Sequence, residues 1–311
     1  MSLNDNLVNP NNRSLGPKAA RRLSNTTKSI PMMDSITPRW LLSFLPWVST
    51  EAGVYRVNKV IDDSNEGMCS DNIGEHCIPQ NYMDYNCNPK EYTLNIIQTI
   101  LKINSQVSDI FNSPINQKQE QMRLTIEKMR EKQECELVNN SEFGLLASVD
   151  PSMRIPPRKG TPTPDDLDDL LATVWKKPAF FLAHPKAIAA FTRECTCRGV
   201  PPVTVNIFGS PFVTWRGVPM VPCDKVKIDS LGNTCILLMR VGEREQGVIG
   251  LHQPGVPGEC QVPSLSVHFG GIDDMGIMSY IMTLYYGLAV LTNDALGMLE
   301  NVNIGHYYDY E

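Results

Sequence analysis

Four residues in the first third of this sequence combine side chains that could bind a metal ion. Thiolates and imidazoles are the ligands that zinc prefers in proteins. No two of the cysteines are two to four residues apart, so the knuckle spacing of structural zinc sites is missing. Free thiols in a polar loop are the preferred interpretation, and we expect no metal there. The four residues are Cys69, His76, Cys77 and Cys87.

A second group, Cys195-Thr196-Cys197, is followed directly by Arg198. The charge of a neighbouring arginine could lower the pKa of a thiol and make it a nucleophile. The group lies at the predicted end of a helix, where residues two positions apart point to different faces. That geometry argues against a redox pair of Cys195 and Cys197.

A third group consists of four acids, which could hold a hard cation because such ions prefer carboxylate oxygens. The same acids lie in the first turn of a predicted helix, where the helix dipole stabilises negative charge. We favour this structural role over a metal site. The acids are Asp165, Asp166, Asp168 and Asp169.

The usual enzyme signatures are missing from the sequence. There is no P-loop, no GxGxxG after a strand, no HExxH and no GxSxG, and the five histidines show no metal or triad spacing. We therefore expect no catalytic residue and no cofactor. A structural protein is favoured over an enzyme.

Composition limits the partners and the compartment. The 311 residues carry a formal net charge of −6, which argues mildly against a nucleic-acid partner. The chain starts without an apolar signal region, and its most apolar segment, residues 277–291, is too short and interrupted for a membrane span. Nine cysteines without a framework spacing favour a reducing cytoplasm. We expect a cytoplasmic protein that binds neither membrane nor nucleic acid.

The amino-terminal third predicts extended segments. Residues 1–28 are polar and basic, as in a solvated tail or an arm that orders on a partner. Residues 51–61 and 91–96 alternate like strands and are joined by a long polar tip, which predicts a protruding hairpin. Because an isolated two-stranded hairpin is marginally stable in water, we expect it to lie on a neighbouring subunit.

Two helices are predicted next. Five β-branched residues at alternating four- and three-residue spacing predict an amphipathic helix. A long charged helix is then predicted over about 114–138, because Ser113-Pro114 is typical of a helix start. We interpret this second helix as a structural spine. The five residues of the first stripe are Ile96, Ile100, Ile103, Val107 and Ile110.

The second half predicts two helices and then mostly strands. Proline-rich residues 150–164 mark a boundary, and helices are predicted over about 163–175 and 184–199. Val203, Val205 and Ile207 alternate with polar residues or phenylalanine, which predicts a half-buried strand. Because helices and strands are segregated, the fold class is α+β. The remaining strands are predicted within residues 208–228, 234–241, 265–269 and 277–299.

Six segments together resemble one protein family, the shell proteins of encapsulin nanocompartments. The chain resembles specifically the second encapsulin family. No segment is long enough for the cyclic-nucleotide-binding domain that some members carry, so it resembles the subgroup without that insertion. The segments are residues 35–42 (SITPRWLL), 51–60 (EAGVYRVNKV), 123–130 (RLTIEKMR), 184–202, 208–225 (FGSPFVTWRGVPMVPCDK) and 241–258.

The resemblance implies the HK97-like fold of phage major capsid proteins, an α+β fold with four parts. Each part coincides with a feature of the sequence. The implied parts are an N-terminal arm (1–35), an extended β-hairpin loop (51–95), an axial domain (145–271) and a peripheral domain (36–50, 96–144 and 272–311, with the spine helix at about 114–138).

The resemblance also implies a function. Such proteins form closed icosahedral shells, commonly T=1 shells of sixty copies, and this subgroup is expected to enclose a cysteine desulfurase on its inner wall for sulfur metabolism or storage. Two alternatives remain open at this point. A viral major capsid protein would share the fold, and a soluble enzyme of unknown reaction would form a small oligomer instead.

Two sets of candidate residues follow from these expectations. Shell contacts are predicted for basic residues of the arm and for large aromatic residues, although core packing is an equal alternative for the tryptophans. A fivefold opening is predicted to be lined by the loop after the second axial-domain helix. The contact candidates are Arg21, Arg22, Trp40, Trp47 and Tyr55, and the pore candidates are Cys195, Thr196, Cys197, Arg198 and Val200.

Overall fold

The structure is a computed structural model that describes residues 14–15, 32–61, 84–104, 116–260 and 262–308. Its helices are α1 (Trp40–Phe44), α2 (Gln117–Asn139), α3 (Leu145–Ser148), α4 (Pro164–Thr173) and α5 (Pro185–Cys197), with 3-10 turns at Pro151–Met153 and Asn293–Ala295. Its strands are β1 (Ser14–Leu15), β2 (Trp47–Ser49), β3 (Val54–Val57), β4 (Val60–Ile61), β5 (Asp84–Tyr85), β6 (Lys90–Thr93), β7 (Asn95–Asn104), β8 (Arg154–Ile155), β9 (Phe180–Ala183), β10 (Val203–Ile207), β11 (Ser210–Trp215), β12 (Val218–Pro222), β13 (Asn233–Met239), β14 (Val248–His252), β15 (Glu259–Cys260), β16 (Val262–Ile272), β17 (Ile277–Val290) and β18 (Leu296–Asn303).

The first sheet is built around β17, the longest strand of the described residues. Antiparallel β7 and β16 pair with its first ten residues on opposite edges, and β14 pairs with its last four. Parallel pairing adds β2 to β14 and β1 to β7. Helix α2 covers one face, where Ile126 and Met129 pack against Leu265, Met282 and Leu284.

The predicted helix through the isoleucine stripe is wrong over residues 95–104, which form β7. Burial alternates along this segment, so the period is two and not 3.6. Isoleucine favours strands because its branched side chain packs well on a pleated surface. A ten-residue ladder with residues 277–286 then satisfies the backbone. The stripe residues Val107 and Ile110 lie outside the described residues.

The second sheet has the strand order β10-β11-β12-β9-β13-β18-β8. Its centre is apolar throughout, and all four residues of β9 are buried. Helices α4 and α5 pack on β18, β12 and β13 and close the main hydrophobic core. The buried strand predicted over 234–241 is confirmed as β13, and the apolar segment 277–299 contains two strands, β17 and the start of β18.

Helix ends in the second half agree closely with the sequence. A capping box joins Thr163 to Asp166 at the start of α4. The Nδ1 atom of His184 accepts a hydrogen bond from the amide of Lys186 at the start of α5. The long helix α2 begins after Asn116, whereas the predicted start at Ser113-Pro114 lies outside the described residues.

The two sheets group the strands differently from the implied domain boundaries. Strand β14 and most of β16 fall within the implied axial domain, yet both pair with β17 in the first sheet. Strand β18 falls within the implied peripheral domain, yet it pairs with β13 in the second sheet. The four-part division stays a prediction. The chain passes between the two sheets more often than the implied domain boundaries suggest.

Candidate assembly surfaces and pore loop

The predicted pore loop follows α5, and a glycine ends that helix. Gly199 has a φ of +72°, in the left-handed region that glycine adopts without strain. The amide of Val200 donates to the carbonyl of Cys195 at 2.9 Å, and the amide of Gly199 donates to the carbonyl of Thr196 at 3.1 Å. These two bonds form a Schellman motif, so the helix end fixes the direction in which the loop leaves.

The five pore candidates do not share one environment. Thr196, Cys197, Arg198 and Val200 are exposed, and their role at an opening stays a prediction. Cys195 is 0% exposed and packs in the main core, so its side chain cannot line an opening, and that assignment is wrong. Burial raises the pKa of the Cys195 thiol to about 11, which keeps it protonated at neutral pH.

The four acids of α4 are engaged with side chains of their own chain. Asp166 closes the capping box with Thr163, as the structural interpretation predicted. A hydrogen bond from Arg216 has the largest effect on the pKa of Asp168 and, with one from Trp215, holds it below its usual value although partial burial acts in the opposite direction. The acids therefore tie α4 to its neighbours. The remaining partners are Arg198 for Asp165 at 3.3 Å and Arg158 for Asp169.

Strand β10 forms the open edge of the second sheet. It was predicted to be half-buried, but Val203 is 69% exposed and Val205 is 44% exposed, so that prediction is wrong. The physical reason is position, because α4 and α5 pack on strands nearer the centre of the sheet. An apolar edge strand with unpaired backbone groups is a ready template for contact with another chain.

An aromatic cluster lies at the turn that follows β10. Phe208 is 64% exposed and has a φ of 50°, an uncommon conformation for a bulky residue. Its ring lies 6.5 Å from that of Trp40 and 5.3 Å from that of Phe44, measured between centroids. Trp40 also meets Phe212 edge-on at 5.1 Å. The exposed turn is therefore held by rings of its own chain.

Trp47 packs inside the chain as well. Its indole Nε1 donates to the carbonyl of Leu42 at 3.0 Å. Its ring lies against Gly250, where a Cβ atom would come within 2.7 Å of the indole. Trp40 and Trp47 are both partly buried, which favours the core alternative for their main role. Contact of their exposed parts with another subunit stays a prediction.

The predicted hairpin is confirmed at its base, where β3 and β6 pair antiparallel. The base packs on a small core that includes Ile249 and Leu251. The Tyr55 hydroxyl donates to Glu243 at 2.6 Å, and that of Tyr92 donates to the carbonyl of Val290. Burial, with the Glu243 hydrogen bond, raises the pKa of Tyr55 to about 12. Tyr55 thus anchors the hairpin to its own subunit.

Beyond this base, the described residues of the hairpin are exposed to solvent. Residues 84–90 are all exposed, and β4 and β5 form only a two-residue ladder. Cys87 is exposed there, whereas Cys69, His76 and Cys77 lie outside the described residues. The contact candidates Arg21 and Arg22 lie outside them too.

The root of the arm is tied to the spine helix by charged groups. Glu131 of α2 accepts a hydrogen bond from the amide of Thr37 at 2.8 Å and lies 3.3 Å from Arg39 and 2.8 Å from Lys225. Although burial opposes it, hydrogen bonds from Lys225 and Thr37 hold the pKa of Glu131 below its usual value. The chain direction at residues 37–41 is thereby fixed, because Glu134 also accepts from the amide of Leu41 at 3.2 Å.

One group in the described residues has the spacing of a metal site. Glu134, Cys223 and Asp224 bring their ligand atoms within 4.8 Å of one another. Lys225 lies 2.7 Å from Asp224 and already supplies a cation. Burial raises the pKa of Cys223 to about 12 and that of Glu134 to about 7, so neither group readily offers the charged form that a metal needs. The group is best explained as part of the arm-root network.

Within the described residues, no helix is both long and apolar enough to cross a membrane.

Comparison with known proteins assigns this geometry to a class and then to a family. The fold matches a solved capsid of a native GTA particle with a TM-score of 0.59 at 13% identity, covering 88% of this chain and 93% of that one. The chain therefore has the HK97-like capsid fold, as the sequence resemblance implied.

The family follows from closer relatives. The profile of the SrpI-like type 2A encapsulin shell proteins matches residues 55–306. A type 2A encapsulin shell protein from Synechococcus elongatus is 53% identical over 94% of this chain and 95% of its own length. The solved holo-SrpI encapsulin complex of Synechococcus elongatus PCC 7942 superposes with a TM-score of 0.82 at 51% identity, covering 96% of this chain and 99% of that one. The chain belongs to the type 2A encapsulin shell protein family.

Family membership decides between the alternatives that the sequence left open. The chain is an encapsulin shell protein that assembles into a capsid-like shell, and its likeness to viral capsids is one of fold alone. Its relatives are named as shell proteins, which favours a structural role over an enzymatic one.

Proposed function

We propose that this chain assembles into a closed cytoplasmic shell of sixty copies that encloses a cysteine desulfurase on its inner wall for use in sulfur metabolism or storage. Family membership supports the shell, and the architecture of the hairpin supports the subgroup. Residues 58–89 connect β3 to β6, which is too few for an inserted domain of about 50 residues or more. The relative from Synechococcus elongatus was solved as a holo complex, which is consistent with a carried partner.

The observation that supports the assembly proposal is that two extended segments are not buried by the rest of their own subunit. Beyond its base, the described residues 58–60 and 84–90 of the β3–β6 hairpin are exposed, and β10 exposes valines at a sheet edge. Both surfaces need a second copy to become buried, and a ring of heterologous contacts closes only at defined symmetry. We assign the hairpin beyond Tyr55, the edge of β10 and the basic arm with Arg21 and Arg22 to contacts between subunits.

We assign the loop after α5 to an opening at a symmetry axis. Its exposed residues Thr196, Cys197, Arg198 and Val200 follow a helix end of fixed direction. The charge of Arg198 is balanced by Asp165 and Glu194 at 3.3 and 3.5 Å, so the rim carries a paired rather than a free cation. A cryo-EM map tests this directly. Density that places Val200 far from every symmetry axis contradicts the assignment.

The cargo is tested by co-expression of the shell with a cysteine desulfurase from the same genome. We expect the desulfurase to sediment with the shell through a density gradient and to resist added protease. A soluble protein of equal size from an unrelated genome, expressed in its place, is the matched control. The proposed cargo is contradicted if the control protein also sediments with the shell, or if the desulfurase does not.

A further inference from the structure

A cavity of about 240 Å³ lies between the spine helix α2 and the first sheet. Its walls are mainly apolar, with Leu42, Val262, Pro263 and Leu284 on different sides. Most ligand pockets have this composition, an apolar lining with a few polar groups that fix orientation. The volume is below that of sites for drug-sized molecules, so the cavity suits a smaller ligand.

Two polar side chains of α2 reach this cavity without a partner. Arg130 lines it, is partly buried, and makes no hydrogen bond or ion pair with any described residue. Gln133 lines it one helical turn further on, is only 6% exposed, and likewise has no hydrogen-bond partner among the described residues. Their polar atoms are not fully buried, so both side chains present unpaired donors to the space of the cavity, where a ligand can take the place of water.

The acids nearest to Arg130 are engaged elsewhere. Glu127 forms an ion pair with Arg39 at 2.5 Å, and Glu131 is shared by Arg39, Lys225 and Thr37. Arg39 opposes the charge of Arg130 whereas Glu127 favours it, so the nearby acid compensates that charge only in part. Among the described residues that line the cavity, Arg130 is the one that carries a full charge. The missing counter-charge is therefore an anion.

The opposite wall suits a flat apolar group. Trp47 has its indole N–H bound to Leu42, so only its ring face is offered to the cavity. Gly250 makes room for this ring, which a Cβ atom there would meet at 2.7 Å. His252 lies beside Trp47 at 6.4 Å between ring centroids, and Tyr285 completes the wall.

From this arrangement we propose that the cavity binds a small organic carboxylate with a flat apolar body. The planar guanidinium of Arg130 receives the carboxylate in a two-point hydrogen bond, and the Gln133 amide donates to the same group. The apolar body lies against Trp47 and Leu284. The proposal is independent of the nature of the cargo, because it uses only residues of one subunit.

Saturation-transfer NMR on assembled particles tests the proposal, with benzoate as the probe and neutral benzamide as its isosteric control. We expect saturation of benzoate but not of benzamide. Arg130→Met should weaken benzoate binding at least tenfold, because it removes a charged two-point contact of the kind worth more than a factor of ten. Lys128→Met removes a charge from the exposed face of the same helix and should leave binding unchanged.

Electron microscopy of each variant shows whether particles still form. If Arg130→Met does not assemble, Gln133→Leu is measured instead. Gln133→Leu should also weaken benzoate binding, whereas Lys128→Met should bind benzoate like wild type. Equal saturation of benzoate and benzamide overturns the proposal. So does undiminished benzoate binding by the cavity variant, or no binding by wild-type particles, which would mean that a neighbouring subunit fills or seals the cavity.

Discussion

Two strands of the same sheet, β9 at its centre and β10 at its edge, both carry apolar side chains but have opposite environments. Every residue of β9 is buried, and Phe181 is 0% exposed. In β10, four of five residues are exposed and Val203 shows 69% of its surface. Apolar area buried within the chain stabilises the subunit, whereas apolar area left open at an edge is available for association.

The difference divides the molecule into a covered interior and open assembly surfaces. Substitutions in the interior should change the stability of the subunit itself. Substitutions at the open edge should leave that stability nearly unchanged and affect particle formation instead. Because assembly makes the apparent stability depend on protein concentration, subunit stability is compared by guanidinium unfolding at one fixed concentration, and particle formation is measured separately.

The largest effect is expected for Phe181→Ala in β9. Removing a fully buried aromatic ring loses its transfer free energy and leaves a cavity, which costs about 3–5 kcal/mol. Equilibrium guanidinium unfolding should show a correspondingly lower midpoint. Phe208→Ala provides the comparison at the edge and should cost clearly less, because its ring is 64% exposed although it contacts Trp40 and Phe44. An equal loss in the two variants would break the distinction between interior and edge.

Glu134→Gln tests whether the buried carboxyl of Glu134, next to residues 37–41, makes the stability of the subunit depend on pH. Burial raises the pKa of Glu134 to about 7, so its neutral form is favoured in the fold. The stability that this neutral form contributes is complete below the ordinary pKa of 4.5 and is lost as pH rises through 7. The variant should therefore be more stable than wild type by about 2–3 kcal/mol at pH 8 and equal to it near pH 4.5.

The difference between the two proteins at each pH is the quantity to measure, since other acids then contribute equally to both. Lys225, Glu131 and Asp224 all face Glu134 and remain in the variant. Guanidinium midpoints at pH 4.5 and 8 are sufficient. A gain of the same size at both pH values contradicts a buried, proton-linked carboxyl.

Gly199→Ala sharpens the comparison at the border between interior and surface. The residue keeps its left-handed φ only with strain once it carries a Cβ, which costs about 1 kcal/mol. No atom lies within 4 Å of the position that this Cβ would take, so the backbone alone should determine the loss. Thermal unfolding measures it. A loss several times larger would indicate that the loop packs against something beyond its own chain.

The smallest effect on the subunit is expected for Val203→Thr. The exchange keeps the shape and the strand preference, and an exposed site usually changes stability by less than about 0.5 kcal/mol. Particle yield should nevertheless fall, because a hydroxyl replaces apolar area at the open edge. Leu231→Thr, at an exposed turn, is the control and should assemble normally. Unchanged yield of Val203→Thr would remove β10 from the assembly surfaces.

Local signals predicted much of this fold from the sequence. The capping box of Thr163 and Asp166, the proline after His184 and the alternation at both ends of the hairpin each act over a few residues, and the structure agrees with them. The isoleucine stripe misled because isoleucines occur on both faces of β7: Ile96 and Ile100 are exposed, whereas Ile103 is buried on the other face. Only the pairing with β17, about 180 residues away, selects the strand.

The candidate sites were less accessible to sequence reasoning. The burial of Cys195 and the exposure of Val203 depend on which strands the helices cover, and that is a property of the whole sheet. The cavity joins Arg130 to His252 across 122 positions, so no local motif could reveal it. The one local hint was Arg130 and Gln133 at three-residue spacing, which places them on one helix face.

The mass of the purified particle tests the central claim most directly. A closed shell of sixty 34.8 kDa chains has a mass of about 2.1 MDa before any cargo. Mass photometry of wild-type protein should give one narrow megadalton population at or above this value. A monomer or dimer under all conditions of salt, pH and concentration would contradict the account, because the hairpin and the edge of β10 would then remain open.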